Sequence, residues 1–498
     1  MSPAGRAREA GTPRATRGAS PAPPIPADIW VLVGAAFIVA IGYGIVAPVL
    51  PQFAESFGLG VTASSIVVSA FAFFRLVSAP AGGRFVNRFG ERPVYVIGLL
   101  IVAASTFAVA LSQSYWQLLL FRGLGGLGST MFTVSAMALI VRMSPPRARA
   151  RSTGLYATSF LLGNIAGPVL GGFMAGLGMR VPFVIYAVGL VIAAAVVRLK
   201  LGSAGARPVA ASGTGDGAAP TAAAPPAAEA HAGTAPASPA AGGQGAAAER
   251  AGEEAPAVGA AGSTRASAAE PDRASAAGPE PGDPGGARAA EQAGASTPMR
   301  FREAWRESGY RAALFGGMAN GWASMGIRVA VYPLFALHVL GVGAAEAGWA
   351  LTVFALGNAV AVTSVGRFAD IYGRKPFIVT GFAVLGLATI VLGYWESLTV
   401  FLVLSAVAGV GAGLLNPAQQ AAVADVIGSE RAGGKVLSRF QMAMDTGAIF
   451  GPIIAGWLAD AFGYSIAFAA SGALALLAGL FWLTARETLP PAEAPESD

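Results

Sequence analysis

Four charged side chains sit inside long apolar runs: Arg75, Arg122, Arg328 and Asp445. A charge near the bilayer centre costs about 2.5–3.5 kcal/mol on insertion scales unless it finds a partner or water. Each of the four is therefore a candidate for chemistry rather than decoration. Asp445 is the one carboxylate well inside such a run, and a carboxyl withdrawn from water can exchange a proton with a cavity. That makes it the candidate proton carrier; the structural alternative is a bond to Arg439 or Lys435 on the same helix. Arg328 could hold an anionic group, or pair with a carbonyl, or snorkel. Arg75 is expected to snorkel toward the nearer membrane surface. Tyr43, Asn320, Trp322, Tyr332, Asn416, Gln419 and Gln420 are the remaining polar or aromatic candidates for a cavity wall. Aromatics with a few amides suit an amphipathic organic ligand, and the same aromatics suit plain packing. His338 reads as a surface residue.

Other chemistries have little to work with. The chain has no cysteine, which removes disulfides, thiol catalysis and cysteine-based metal sites. Its two histidines, His231 and His338, make a histidine metal centre improbable, so no metal is expected. There is no G-x-x-x-x-G-K-[ST] loop for a nucleotide. The chain is not read as an enzyme, and no cofactor is expected beyond a proton gradient as energy source. Its partners are a small-molecule substrate and the lipid bilayer, not nucleic acid, and a monomer is expected.

The elements that must position these residues are transmembrane helices. Of 498 residues, 54% are hydrophobic and 12% charged, against about 25% charged in soluble proteins. Twelve runs each supply the roughly 20 mostly apolar residues that cross about 30 Å of hydrocarbon. No alternating barrel pattern appears, and a spanning segment must satisfy its own backbone, so the runs are helices. The fold class is an all-α polytopic membrane protein with twelve transmembrane helices in two six-helix bundles. The fifth run is read as Ser152–Ala175 and the seventh as Ala312–Leu337.

Basic residues concentrate in alternate loops, and the intervening loops hold only Arg180. By the positive-inside rule both termini are cytoplasmic and the protein lies in the cell membrane. Residues 1–28 form a basic tail without the apolar core of a cleavable signal. The first bundle is 29–200 and the second 301–487, with a short tail over 488–498. Between them, 201–300 is rich in Ala, Gly and Pro and too poor in apolar area to offset its ordering entropy. It is expected to be a disordered linker.

One basic turn occurs twice: Gly83-Arg84-Phe85-Val86-Asn87-Arg88-Phe89-Gly90-Glu91-Arg92-Pro93 and Gly366-Arg367-Phe368-Ala369-Asp370-Ile371-Tyr372-Gly373-Arg374-Lys375-Pro376. Gly83 and Gly366 allow close helix approach. Gly90 and Gly373 supply a turn that calls for positive φ. The fifth residue, Asn87 or Asp370, is suited to capping a helix N-terminus. The arginines are expected to meet anionic lipid or acids of the other half. Gly163, Gly167, Gly171 and Gly172 lie on small-xxx-small spacing around Pro168, which gives a kinkable, closely packed helix. Gly447, Gly451, Pro452 and Gly456 repeat that pattern. Pro48 is matched to Pro333, and Arg147 to Arg431.

These motifs resemble those of the major facilitator superfamily across nearly the whole chain outside the tails and linker. The duplicated turn is similar to the family's loop G-x-x-x-D-r-x-G-R-[RK], although Asn87 and Glu91 replace an Asp and a basic residue in the first copy. Arg122-Gly123-Leu124-Gly125-Gly126-Leu127-Gly128 resembles the family's helix-four motif. Gly163 to Gly172 resembles the helix-five motif of antiporters, and Gly42 to Pro51 the first helix of twelve-helix drug:proton antiporters. The resemblance implies a gating latch at the loops, a cavity lined by helices one, four, seven and ten, and a part in proton coupling for Arg122. Drug antiporters often carry an acid in the first helix, and here only Asp28 lies at its mouth.

The function expected is secondary active transport by alternating access, as proton-coupled efflux of small organic or drug-like compounds, a form of multidrug resistance. The excess of membrane arginines leaves open an exchanger or uptake carrier for an organic anion. The long linker leaves open a non-transporting sensor or scaffold.

Overall fold

The computed structural model describes residues 25–145, 148–201, 299–428 and 433–489, without the side chains of Ala150, Gly366, Arg367 and Asp370. The expectations for the N-terminal tail, nearly all of the linker and C-terminal tail, the Arg147–Arg431 match and the side chain of Asp370 lie outside the described residues.

The first half comprises α1 (Ala27–Val46), α2 (Leu50–Glu55), α3 (Val61–Phe89), α4 (Glu91–Leu111), α5 (Tyr115–Met143), α6 (Arg149–Ala175) and α7 (Val181–Lys200). The second comprises α8 (Phe301–Arg306), α9 (Ser308–Gly321), a π-helical segment (Trp322–Val331), α10 (Tyr332–His338), α11 (Ala344–Tyr372), α12 (Lys375–Leu392), α13 (Leu398–Ile427), α14 (Gly434–Phe462) and α15 (Tyr464–Thr484). Among the described residues, eleven helices are long and apolar enough to cross a membrane. The twelfth expected span is Ser308–His338, which stays helical throughout but passes through the π segment. It starts before the expected Ala312. π-helical turns inside α-helices mark places where local packing overrides the regular ladder.

The halves repeat each other. Helices α3 and α11 each run 29 residues and end on a left-handed glycine, Gly90 at φ 84° and Gly373 at φ 95°. Both glycines thus adopt the conformation expected of them. Gly44 packs on Gly167 and Pro168 as Gly326 packs on Gly451 and Pro452. That register pairs Pro51 with Pro333, each at the start of a short helix. The Pro48–Pro333 match is one turn out, because the first span was read as ending at Leu50 and the short helix α2 beyond it was not read as an element.

Close helix contact supplies the packing. Gly163, Gly167 and Gly171 of α6 lie directly against the α1 backbone at Ala40, Ile41, Gly44 and Ile45. The next glycine, Gly172, meets Ala344 and Ala345 at the start of α11, in the other half. Its counterpart Gly456 on α14 meets Val61 and Ser65 at the start of α3. Two pseudo-equivalent crossings, α6 on α11 and α14 on α3, therefore join the halves. Both lie at the membrane face away from the two basic loops, here called the far face. With only lipid as the alternative, such backbone approach is how helices associate.

The basic loops differ from expectation. Asn87 lies in the last turn of α3 and cannot cap α4, whose first residue follows Gly90 with no side-chain cap. The backbone of Asp370 is likewise in the last turn of α11. Several of the loops' cations bond within their own half. Arg92 donates to the Arg198 carbonyl at 2.6 Å, and Arg142 pairs with Glu91 at 2.9 Å. Arg374 pairs with Asp425 at 3.2 Å, and Lys375 donates to the Leu483 and Ala485 carbonyls. Arg88 lies over the ring of Phe89. Glu487 accepts the backbone N–H groups of Arg374 and Lys375 at 3.0 and 3.1 Å. Burial pushes its carboxyl up, but these and further backbone N–H groups outweigh that and hold it below the usual range.

Candidate functional site

Helices α1, α3, α4, α5, α6 and α7 line a narrow, partly open cleft in the first half. Its walls are strongly aromatic: Tyr43, Phe71, Phe132, Phe160 and Tyr186. Ser129, Thr133 and Asn164 supply polar edges, and Arg75 supplies the charge. The local sequence explains the space. Gly42 leaves room for the Tyr186 ring, and Gly123 and Gly126 let α5 close onto α3 beside Phe74 and Phe71. Aromatics then fill the wall from both sides.

Arg122 stands behind that wall. Its guanidinium lies 4.2 Å from the centroid of Phe71 and 5.9 Å from that of Tyr43, two rings in tilted contact at 6.3 Å. The residue is buried and its Nε has no hydrogen-bond partner. Ring faces carry partial negative charge, and a desolvated cation over them gains about 2 kcal/mol. Arg122 is therefore beside the cleft but not among the residues that line it.

Arg75 does not snorkel. It lies midway along α3, lines the cleft, and its charge acts on Asp445 of α14 in the other half. The antiparallel register of α3 and α14 brings them together. Gly60 meets Asp460 and Ser65 meets Gly456, and the same register carried inward sets Arg75 opposite Asp445. Asp445 also accepts from Gln441 Nε2 at 3.2 Å. The alternative partner Arg439 is engaged elsewhere, 3.7 Å over the ring of Phe301.

The second-half candidates are distributed differently. Arg328 donates to the Ser324 carbonyl at 2.7 Å and lies 4.5 Å over the ring of Phe354, the residue equivalent to Phe71. Asn320 and Asn416 are buried and bond each other at 2.5 Å, with Ser324 donating to Asn320. Trp322 donates to Ser471 at 2.8 Å. Tyr332 is fully buried between Phe401 and Phe468, a core position rather than a cavity wall. Gln419 is buried against Gly316 with Nε2 unpartnered, and Gln420 is half-buried on α13. Of the cavity candidates, Tyr43 alone is in the wall of this cleft. Asn320, Asn416, Trp322 and Arg328 bond within the second half instead.

Sequence reasoning also missed a polar cluster at the far face. His338 is exposed, as expected, and it also bridges the two halves. Its Nε2 pairs with Glu55 of the first half at 2.9 Å, and its Nδ1 bonds the Tyr464 hydroxyl at 2.6 Å. Asp460 accepts the backbone N–H groups of Val61 and Thr62 at 2.9 and 2.8 Å, capping α3 from the other half. Gln52 donates to the Pro333 carbonyl at 3.0 Å. Thr352 donates to the Ile165 carbonyl at 2.9 Å. Among the described residues no group of three or more metal-binding side chains is present.

Known proteins share this arrangement. A bacterial homologue of the human lysosomal transporter Spinster, solved inward-facing and unoccupied, superposes with a TM-score of 0.64 at 17% identity, over 91% of this chain and 95% of that one. The human organic anion transporter MFSD10 superposes with a TM-score of 0.55 at 16% identity, over 92% of this chain and 100% of that one. At these identities the likeness is one of fold. In sequence, the quinolone resistance protein NorA of Staphylococcus aureus is 33% identical over 156 residues, 31% of this chain and 40% of that protein. Multidrug resistance protein 2 of Bacillus subtilis is 31% identical over 153 residues, 31% of this chain and 38% of that protein. The matched part thus spans well under half of these relatives' length. The profile of the Major Facilitator Superfamily matches residues 32–248 and 313–498, both halves of the repeat. With its duplicated six-helix halves, paired basic loops and glycine-packed crossings, this multi-pass membrane chain belongs to the Major Facilitator Superfamily of transporters.

Proposed function

We propose that the chain is a proton-coupled efflux carrier for small organic compounds, working by alternating access with the basic face in the cytoplasm. The carrying observation is the position of Asp445. It lies inside a span at the seam between the halves, opposite Arg75 and beside the aromatic cleft. A carboxyl there changes its surroundings when the halves rock, which is the requirement for coupling proton uptake to conformation.

Several features support the reading. The bonds between the halves described above, from Gln52–Pro333 to Asp460–Thr62, lie at the far face. That suits a carrier resting open toward the basic face, as in the inward-facing Spinster homologue. The partial similarity to NorA and Multidrug resistance protein 2 supports efflux of drug-like compounds. The positive-inside rule supports a cytoplasmic side for the basic loops. Arg122 would hold the Phe71–Tyr43 wall in shape while Asp445 gains and loses its proton.

The test is transport in reconstituted vesicles with an imposed proton gradient. Asp445→Asn is expected to abolish gradient-driven substrate flux and substrate-induced pH signals while membrane expression persists. An unchanged pH signal in that variant removes Asp445 from the mechanism.

A further inference from the structure

We infer that α8 is a docking surface for anionic phospholipid headgroups, with Arg302 and Arg306 receiving the phosphate charge and Trp305 seated beside them at the membrane interface. This binding is independent of what the chain carries.

Six residues build the surface. At 3.6 residues per turn, Ala304, Phe301, Trp305, Arg302 and Arg306 follow one another round α8. Ala304 is buried and Phe301 half-buried, so that side faces the bundle. Trp305 comes next and is 48% exposed, and Arg302 and Arg306 beyond it are exposed as well. Glu303 lies past the arginines, on the side away from Trp305. Arg300 just before the helix and Arg311 in α9 are also exposed, so cations outnumber acids four to two over residues 300–311.

A helix this short does not hold itself together in water. Here the bundle holds it. Arg439 of α14 lies 3.7 Å over the Phe301 ring, and Phe301 meets the Tyr310 ring edge-on at 6.3 Å. Tyr310 is fully buried and donates to the Val436 carbonyl at 2.8 Å. Met299, just ahead of the helix, is buried too. The arginines are therefore presented on a fixed platform. Arg302 and Arg306 stand one turn apart on one face, a like-charge spacing that destabilises a helix. A counter-anion over that face removes the penalty.

Depth selects the anion. Helix α8 ends one residue before the span Ser308–His338, which puts its arginines in the headgroup layer, about 5–8 Å thick on each side of the hydrocarbon. Lipid phosphates already occupy that layer, and a soluble acidic partner would have to displace them. An indole beside arginines suits the layer, its apolar body toward the acyl chains and its N–H toward ester and phosphate oxygens. A guanidinium meets a phosphate in two parallel bonds, and cations beside an anionic bilayer surface add their attractions.

The experiment reconstitutes the full chain in vesicles of phosphatidylglycerol and phosphatidylcholine, with one lipid or the other brominated high on its acyl chains. Bromine quenches nearby tryptophan, and comparing each form with its own Trp305→Phe variant isolates Trp305 from the other tryptophans. At equal mole fraction, phosphatidylglycerol is expected to be selected at Trp305 by at least about fivefold, the effect of about 1 kcal/mol for one cation at an anionic surface. Arg302→Gln with Arg306→Gln is expected to bring the selection to near one. Arg302→Lys with Arg306→Lys is expected to keep most of it, which separates lost charge from a displaced helix. Raising the salt to about 1 M, where the screening length is about 3 Å, is expected to erode it. Equal quenching by the two lipids in wild type would overturn the inference, and is the result if acids within residues 202–298 cover the face instead. Selection that survives the double glutamine change or the added salt would overturn it too.

Discussion

Glu91 and Arg374 occupy the same position in the two halves, one residue beyond the left-handed glycine of each basic loop, and carry opposite charges. Their partners are exchanged to match. Glu91 bonds Arg142 in the last turn of α5 at 2.9 Å, and Arg374 bonds Asp425 in the last turn of α13 at 3.2 Å. The acid at Glu91, a departure from the family's loop pattern, is thus compensated by a cation at the facing position. Each loop is braced to its own bundle by an ion pair of opposite polarity.

The exchange can be tested by swapping it back. Glu91→Arg alone sets two guanidiniums side by side and is expected to lower the thermal stability of the purified protein by about 1 kcal/mol, near the upper end for a part-exposed pair. Combining it with Arg142→Asp should recover most of the loss. A double variant no more stable than the sum of the singles would show that the contact carries no energy.

The glycine crossings at the far face set how closely the halves can approach. A Cβ at Gly348 of α11 would overlap the Pro168 carbonyl of α6. Gly348→Val is therefore expected to hold that face open and to slow turnover at least about tenfold, since several tenths of an ångström of overlap in a packed interface costs about 1–3 kcal/mol. Because the chain has no cysteine, a single Ser64→Cys reports on the seam. It should react faster with an impermeant maleimide when Gly348→Val is present. Equal rates in both backgrounds would clear the crossing of any gating part.

The Glu55–His338 bridge predicts a pH response of the same face. Burial raises the Glu55 carboxyl above its ordinary value of 4.5, the neighbouring Asp460 raises it further, and His338 offsets part of this. Tyr464 completes the surroundings through its bond to His338. A carboxyl raised on closure favours the closed form below that raised value, and the advantage fades as pH climbs through it. Maleimide reactivity at Ser64→Cys should accordingly rise with pH over a window above 4.5. Glu55→Gln is expected to flatten the profile, and His338→Gln to move it to higher pH by removing the offsetting cation. A window moved downward by His338→Gln contradicts the assignment.

Much of the fold was legible from residue types. The twelve spans, the duplicated basic loop, the glycines that let α6 lie on α1 and the left-handed turns at Gly90 and Gly373 follow from length, charge and the absence of a Cβ. The rotation of each helix was not legible. A span faces lipid on one side and protein on the other, and both favour apolar residues, so the periodicity that marks the buried face of a soluble helix is weak. Tyr332 and Arg75 illustrate the two errors that follow. Tyr332 looked like a wall residue and is sealed between Phe401 and Phe468. Arg75 looked like a snorkelling cation and lines the cleft. The bridge of His338 to Glu55 joins residues far apart in the chain, and nothing local to either names the other.

The contacts between α3 and α14 behave as a zip. From Gly60–Asp460 through Ser65–Gly456 they advance turn by turn from the far face and reach Arg75 and Asp445 near the middle of the bilayer. A zip parts and closes in sequence, and in the alternating access proposed above its inner tooth is the last contact to part when the far face opens. On that proposal the pair at that tooth gains water for a small movement of the halves, and a proton placed there weighs on the motion of the whole molecule more than one placed a few turns to either side.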